Sequence, residues 1–297
     1  MSTPKTIKEY LAQLRAALEG ADPAMIQDAL YDAEEHLRSE LAENPGMGEA
    51  ELLAKIATSY GAPEEVAEIY RTTEQTVARA LRRPPPPRRS AIGRFFGVLA
   101  DPHTYGALFY MLLALATGIF YFTWAVVGLS LSTGLAFTLI GIPFFLLFMA
   151  SVRGLSLLES RIVEGMLGVR MPRRPPYVER DRPWLKRIGS MLADARTWFT
   201  LFYMLLMLPL GIVYFVIAVV GISLSLGVTA MSLFSLLTNE SHIQLDAAPV
   251  LEHILHTAPG LIVLALIGVL LFFCVLHLAK IIGYLHGKLA EVLLVRL

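Results

Sequence analysis

Apolar positions Ile7, Tyr10, Leu11, Leu14 and Leu18 recur at i, i+3, i+4, i+7 and i+11, the mark of one buried helix face that Gly20 brings to an end. Asp22 and Pro23 read as an N-cap followed by proline in the first helical position, and Ile26, Leu30, Ala33, Leu37 and Leu41 carry a second amphipathic helix as far as Asn44-Pro45-Gly46. A third helix, near residues 49–60, buries Leu52, Leu53 and Ile56. A fourth starts at Pro63, turns Val66, Ile69, Tyr70 and Val77 inward and runs to about Leu81. Four short helices with brief loops predict a compact bundle over residues 1–81.

Beyond residue 100 the pattern changes. No Asp, Glu, Lys or Arg occurs in 102–152, 197–239 or 257–279, and each run can cross a bilayer core, which takes about 20 apolar residues per helix. The first run is too long for one span and contains Gly128-Leu-Ser-Leu-Ser-Thr-Gly134, which reads as a turn between two helices. The pattern thus predicts four membrane helices, at about 105–128, 134–153, 198–222 and 258–280. The first apolar stretch opens near residue 95, so the first span is expected to serve as its own insertion signal, not as a cleaved leader.

The membrane part repeats itself. Residues 101–134 placed over 194–227 give 21 identities in 34 positions, including Leu108-Phe109-Tyr110-Met111-Leu112-Leu113 over Leu201-Phe202-Tyr203-Met204-Leu205-Leu206. The second spans match at another offset: Arg153, Leu158, Arg161, Glu164 and Leu167 fall on Lys280, Leu285, Lys288, Glu291 and Leu294, a shift of 127 against 93. The second copy therefore holds an insertion of about 34 residues, placed at 223–257.

Composition agrees with this division. The chain is 55% hydrophobic and 17% charged with a formal net charge of zero, which disfavours a soluble enzyme. The zero is a cancellation: residues 1–81 hold 15 acids against 7 Lys/Arg, whereas 82–100 hold Arg82, Arg83, Arg88, Arg89 and Arg94 and no acid. Arg82 to Arg89 enclose four prolines and read as a stiff polyproline spacer, and its arginines with Arg94 are expected to meet anionic headgroups at the bilayer surface, not nucleic acid. Lys and Arg also crowd residues 154–195 and are missing from 128–134 and 223–257. The positive-inside rule puts both termini in the cytoplasm and the insertion outside. The single cysteine, Cys274, excludes an intrachain disulfide and reads as a small apolar residue.

Two stretches resemble known families. Tyr31-Asp32-Ala33-Glu34-Glu35-His36-Leu37, with Tyr60-Gly61-Ala62-Pro63-Glu64-Glu65-Val66-Ala67, is similar to the bacterial helical signalling domain HAAS, formerly grouped with DUF1700, over about residues 4–80. That resemblance implies a regulatory role beside membrane spans, with a PadR-like transcription regulator as partner. Asp101-Pro-x-Thr-Tyr, Gly128-Leu-Ser-Leu and Ile140-Gly-Ile-Pro143 resemble the four-span sensor domain of bacterial membrane proteins, over about 98–297. Members linked to histidine kinases carry a kinase region that this chain does not show, so a fused kinase readout is not expected.

The candidate chemistry is sparse. Asp28, Asp32 and Glu35 share one stripe of the second helix, either as a solvated face or as contacts for a basic partner; His36 with Glu40 is a weaker metal pair. In the insertion, Glu252, His253 and His256 are candidates for a metal or for acid sensing, against an ordinary wet surface. Gly128-Leu-Ser-Leu and Gly221-Ile-Ser-Leu mimic an intramembrane protease motif but read as helix-ending turns. A transporter is disfavoured because no ionisable residue sits at mid-span. The expectation is an all-α fold: a cytoplasmic helical head (1–81), a Pro/Arg linker with an interfacial segment (82–100), membrane hairpin 1 (101–170), a basic cytoplasmic loop (171–193) and membrane hairpin 2 (194–297), the two hairpins being duplicates. No cofactor is expected. The function expected is non-enzymatic sensing relayed to a cytoplasmic regulator, with homo-oligomers allowed; the alternative is an accessory subunit of a membrane transport complex.

Overall fold

The computed structural model describes residues 4–81, 90–138, 140–174, 195–238 and 257–295, and every regular element among them is helical. The head consists of α1 (Ile7–Ala17), α2 (Pro23–Glu43), α3 (Glu49–Ser59) and α4 (Pro63–Leu81). Thr6 caps α1 by accepting from the Glu9 amide, and Asp22 caps α2 by accepting from Ala24, with Pro23 opening the helix where no amide proton is needed. The first-helix stripe Ile7, Tyr10, Leu11, Leu14 and Leu18 packs against Leu30, Leu37, Leu52, Ile56 and Val66 in one core. Tyr10 donates to the Gly61 carbonyl at 2.9 Å, and Gly61 supplies the positive φ (+108°) that hands α3 over to α4. One expected core position fails: Ile69 is 60% exposed. Val66, Ala67 and Tyr70 already define the inward arc of α4, and position 69 falls outside it.

Next come α5 (Ala91–Phe96), a single 3-10 turn (Gly97–Ala100), α6 (Pro102–Gly134), α7 (Gly141–Leu167), α8 (Ala195–Thr238) and α9 (Ala258–Leu294). The last four are long and apolar enough to cross a membrane. They extend past the C-terminal ends that the sequence pattern predicts. The Gly-x-Ser-x stretches do not end a helix, and the hydroxyls that follow them are satisfied within it, Thr133 donating to the Leu129 carbonyl and Thr229 to the Ser225 carbonyl, both at 2.8 Å. The turn of the first hairpin therefore falls after Gly134 instead of at Gly128, and α8 runs on to Thr238, through residues assigned above to the insertion. Likewise α7 and α9 continue as single helices through 153–167 and 280–294, beyond the spans expected to end at about 153 and 280.

The chain divides into two compact units, one of Met1–Pro84, Gly128–Tyr203 and Gly287–Leu297, the other of Pro85–Val127 and Met204–His286. In the second unit, α6 and α8 meet at a reciprocal contact. A side chain placed on Gly118 would strike the Met207 carbonyl, and one on Gly211 would strike the Ala114 carbonyl. These are the same two positions of the repeat, since 118 and 114 shifted by 93 give 211 and 207. Small residues allow this approach of two backbones. The hairpins also match: Gly221 abuts Val275 in the second unit, and Gly128 abuts Phe148 in the first, related by the shifts of 93 and 127.

Aromatic and polar contacts also tie the second unit together. Phe95 packs on Phe273 and accepts from His277 through its carbonyl, Asp101 pairs with Lys280, and Tyr110 meets His286. Burial raises the Asp101 carboxyl, but Lys280 and the His103 amide and ring outweigh it and hold this acid below the usual aspartate value.

Replacement of Gly118 or Gly211 by alanine is expected to destabilise the detergent-solubilised chain by about 1–3 kcal/mol despite better helix propensity. Gly154→Ala and Gly227→Ala, where nothing lies within 4 Å of an added carbon, should be neutral or stabilising by up to about 1 kcal/mol. Thermal unfolding of the four variants checks this ordering.

Candidate functional site

The site is built where α7 ends. Gly168 adopts the left-handed conformation (φ +68°) while its amide donates to the Glu164 carbonyl, a helix stop that glycine makes at little steric cost. The chain then leaves the helix and carries Arg170, Arg173 and Arg174 onto the acidic stripe of α2. All of these residues belong to the first unit.

Asp28 is the centre, 6% exposed. Its Oδ1 accepts from the amides of Arg173 (2.7 Å) and Arg174 (2.8 Å), and its Oδ2 takes the Arg170 guanidinium at 3.0 Å. The same guanidinium bonds Glu74 of α4 through Nε at 3.0 Å and lies 3.8 Å from Glu164 of α7. Glu164 also receives Arg173 at 2.9 Å. Arg174 places its Nε 2.7 Å from Asp32 and its guanidinium over the Tyr31 ring, while Tyr70 donates to the other Asp32 oxygen at 3.3 Å. Gln27 extends the network: its amide nitrogen donates to the Arg174 carbonyl, and its oxygen accepts from Arg196 of α8, which also donates to the Val295 carbonyl.

Electrostatics explains why the contact is specific. Burial pushes the Asp28 carboxyl above the ordinary aspartate value, while the Arg173 amide, the Arg170 guanidinium and the Arg174 amide pull it back. A raised acid favours the fold most at low pH and less as pH climbs through the shifted range. At neutral pH the buried carboxylate therefore depends on all three donors. Burial lowers Arg170, but Glu74 and Asp28 more than offset this and keep it above its ordinary value. Burial, with Asp32 nearby, also raises the Tyr60 and Tyr70 phenols, so both stay neutral at physiological pH.

The expected site residues meet different fates. Asp28 and Asp32 do face a basic surface, but it is supplied by the chain itself. Glu35 is exposed and stands outside the cluster. His36 stacks on Tyr60, with ring centroids 4.3 Å apart. Arg94 is exposed on α5 beside Ile92, Phe96 and Leu99, which are exposed too. Arg82, Arg83, Arg88 and Arg89 lie outside the described residues, as do Glu252, His253 and His256. Arg170, Glu74, Gln27 and Arg196 were not anticipated, because nothing local in the sequence ties them to α2. Two buried polar contacts were also missed. In the first unit Tyr203 donates to Glu159 at 2.8 Å; in the second, His286 lies between Tyr110 and Tyr214. Tyr110 and Tyr203 are repeat equivalents, as are Glu159 and His286, so the offsets of 93 and 127 carried the signal.

Asp28→Ala is expected to cost about 3–5 kcal/mol, because it leaves Arg170 and two amides buried without their acceptor. Asp28→Asn keeps an acceptor oxygen and should cost less; Asp32→Ala, at a half-exposed pair, should stay within about 1 kcal/mol. Unfolding of the full chain in detergent, followed by tyrosine fluorescence, ranks the three.

Comparison with known proteins places two families along the chain. A family described as Putative sensor matches residues 110–294, and HAAS matches residues 9–69. Neither a curated protein nor a solved structure gives a match. The clamp thus joins the HAAS segment to the stretch that leaves α7 within the sensor match. The chain is a multi-pass membrane protein that belongs to the Putative sensor family and carries a HAAS segment ahead of it.

Proposed function

We propose that this chain is a non-enzymatic signalling protein of the bacterial inner membrane, which relays a membrane or extracytoplasmic stimulus to a cytoplasmic, PadR-like transcription regulator. The observation that carries the reading is the Asp28 clamp. A strain or tilt in α7 reaches Gly168 first, then Arg170 and Arg173, and through them α2 and α4 of the head. A rigid, buried, charge-assisted joint passes such a displacement on where a flexible linker would absorb it.

The basic collar and the arginines after α7 support a cytoplasmic head. Arg196, bonded to both Gln27 and the Val295 carbonyl, supports a C-terminal end on the same side. Exposed Arg94, Ile92, Phe96 and Leu99 suit α5 to a surface of anionic headgroups. Residues 239–256, which hold His253 and His256, are proposed to lie outside the cell.

Topology is checked by cysteine labelling in a Cys274→Ser background. A cysteine at Ser39 should react with an impermeant reagent only after lysis, and one at Leu245 in intact spheroplasts. Protection at both positions would contradict this topology. Co-purification of the full chain after crosslinking tests the partner: a DNA-binding regulator is expected, whereas a permease or transport ATPase would contradict the signalling role.

A further inference from the structure

The acidic face of the head is already occupied. Asp28, Asp32 and Glu74, from two helices of the HAAS segment, close around Arg170, Arg173 and Arg174, which lie more than 90 residues further along the chain. The seated segment is not helical, and it is read in two ways. Its side chains pair with carboxylates, and two successive backbone amides donate to one Asp28 oxygen. The second mode needs two neighbouring amides turned toward one point, and the chain bends at Arg173 and Arg174, just after Pro172. The face therefore selects a bent, arginine-bearing segment, not basic charge in general.

Resting on the signalling role proposed above, we infer that residues 168–174 are an internal occupant of the surface with which the head recognises its partner, and that the partner presents a similarly bent segment with arginines at similar spacing. While the internal segment is seated, the face is closed. Movement of α7 that withdraws Arg170 opens it, so signal and recognition use the same carboxylates. Arg170, with Asp28, Glu74 and Glu164 around it, is the residue whose withdrawal empties the face.

The test uses the full chain in nanodiscs and a fluorescent peptide, Gly-Val-Arg-Met-Pro-Arg-Arg, with a Gly-Val-Lys-Met-Pro-Lys-Lys control. The variant Arg170→Gln/Arg173→Gln/Arg174→Gln should bind the arginine peptide at least tenfold more tightly than the wild type, and should prefer it to the lysine control. Adding Asp28→Asn should abolish that binding. Equal binding by wild type and variant, or binding that survives Asp28→Asn, overturns the inference. Should the triple variant fail to fold, hydrogen exchange on the wild type decides: excess arginine peptide should speed exchange at the Arg173 and Arg174 amides, and unchanged rates refute displacement. These measurements address the face alone, so their failure is separable from the loss of a regulator in the co-purification.

Discussion

A carboxylate removed from water needs partners, and Asp28 finds all of its own more than 140 residues away. That constraint ties the polar head to the apolar remainder. In isolation Asp28 would be an ordinary surface acid on an amphipathic helix. Against Arg170 and the amides of Arg173 and Arg174 it becomes a buried charge whose loss on one side strands the other. Such joints are weak evidence for gross stability, since well-packed apolar residues could replace them, but they specify register. Here they fix which turn of α2 faces the end of α7.

The membrane part follows a different physics. Within hydrocarbon, apolar side chains give little reason for helices to associate, so close backbone approach at small residues matters more. Gly118 and Gly211 provide it reciprocally, as expected of two copies of one hairpin meeting through the same surface. Duplication conserves this geometry while freeing individual positions. At one pair of equivalent sites the first copy holds Glu159 and the second His286, each bonded to the tyrosine of the other copy's first span. The scaffold is shared and the chemistry has diverged.

Much of the architecture was legible because it depends on local periodicity. The α1 stripe, the Asp22-Pro23 start of α2 and the four apolar runs each follow from spacing and composition. The repeat was legible from identity, and its two offsets anticipate the tyrosine contacts once the pairing is known. Helix ends were read less well. Gly128 and Gly134 look like breakers in water, but in hydrocarbon the backbone must satisfy its own polar groups, and the helix runs past Gly128. Ile69 was misjudged because one turn of α4 offers two apolar arcs, and only packing chooses between them. Of the clamp, Asp28 and Asp32 were visible as an acidic stripe, readable either as a solvated face or as contacts for a basic partner. Arg170 was one arginine among many in a basic loop, and a contact spanning 142 positions leaves no periodic trace.

The central claim is that Asp28 and Arg170 act as one unit coupling the head to α7. A double-mutant cycle on the full chain, with Asp28→Asn, Arg170→Gln and the combination, measures it directly from unfolding free energies. The account predicts a coupling energy of about 1.5 kcal/mol or more, the double variant losing much less than the two single variants together. Additivity within about 0.5 kcal/mol would contradict it, leaving the two residues as neighbours without a joint role.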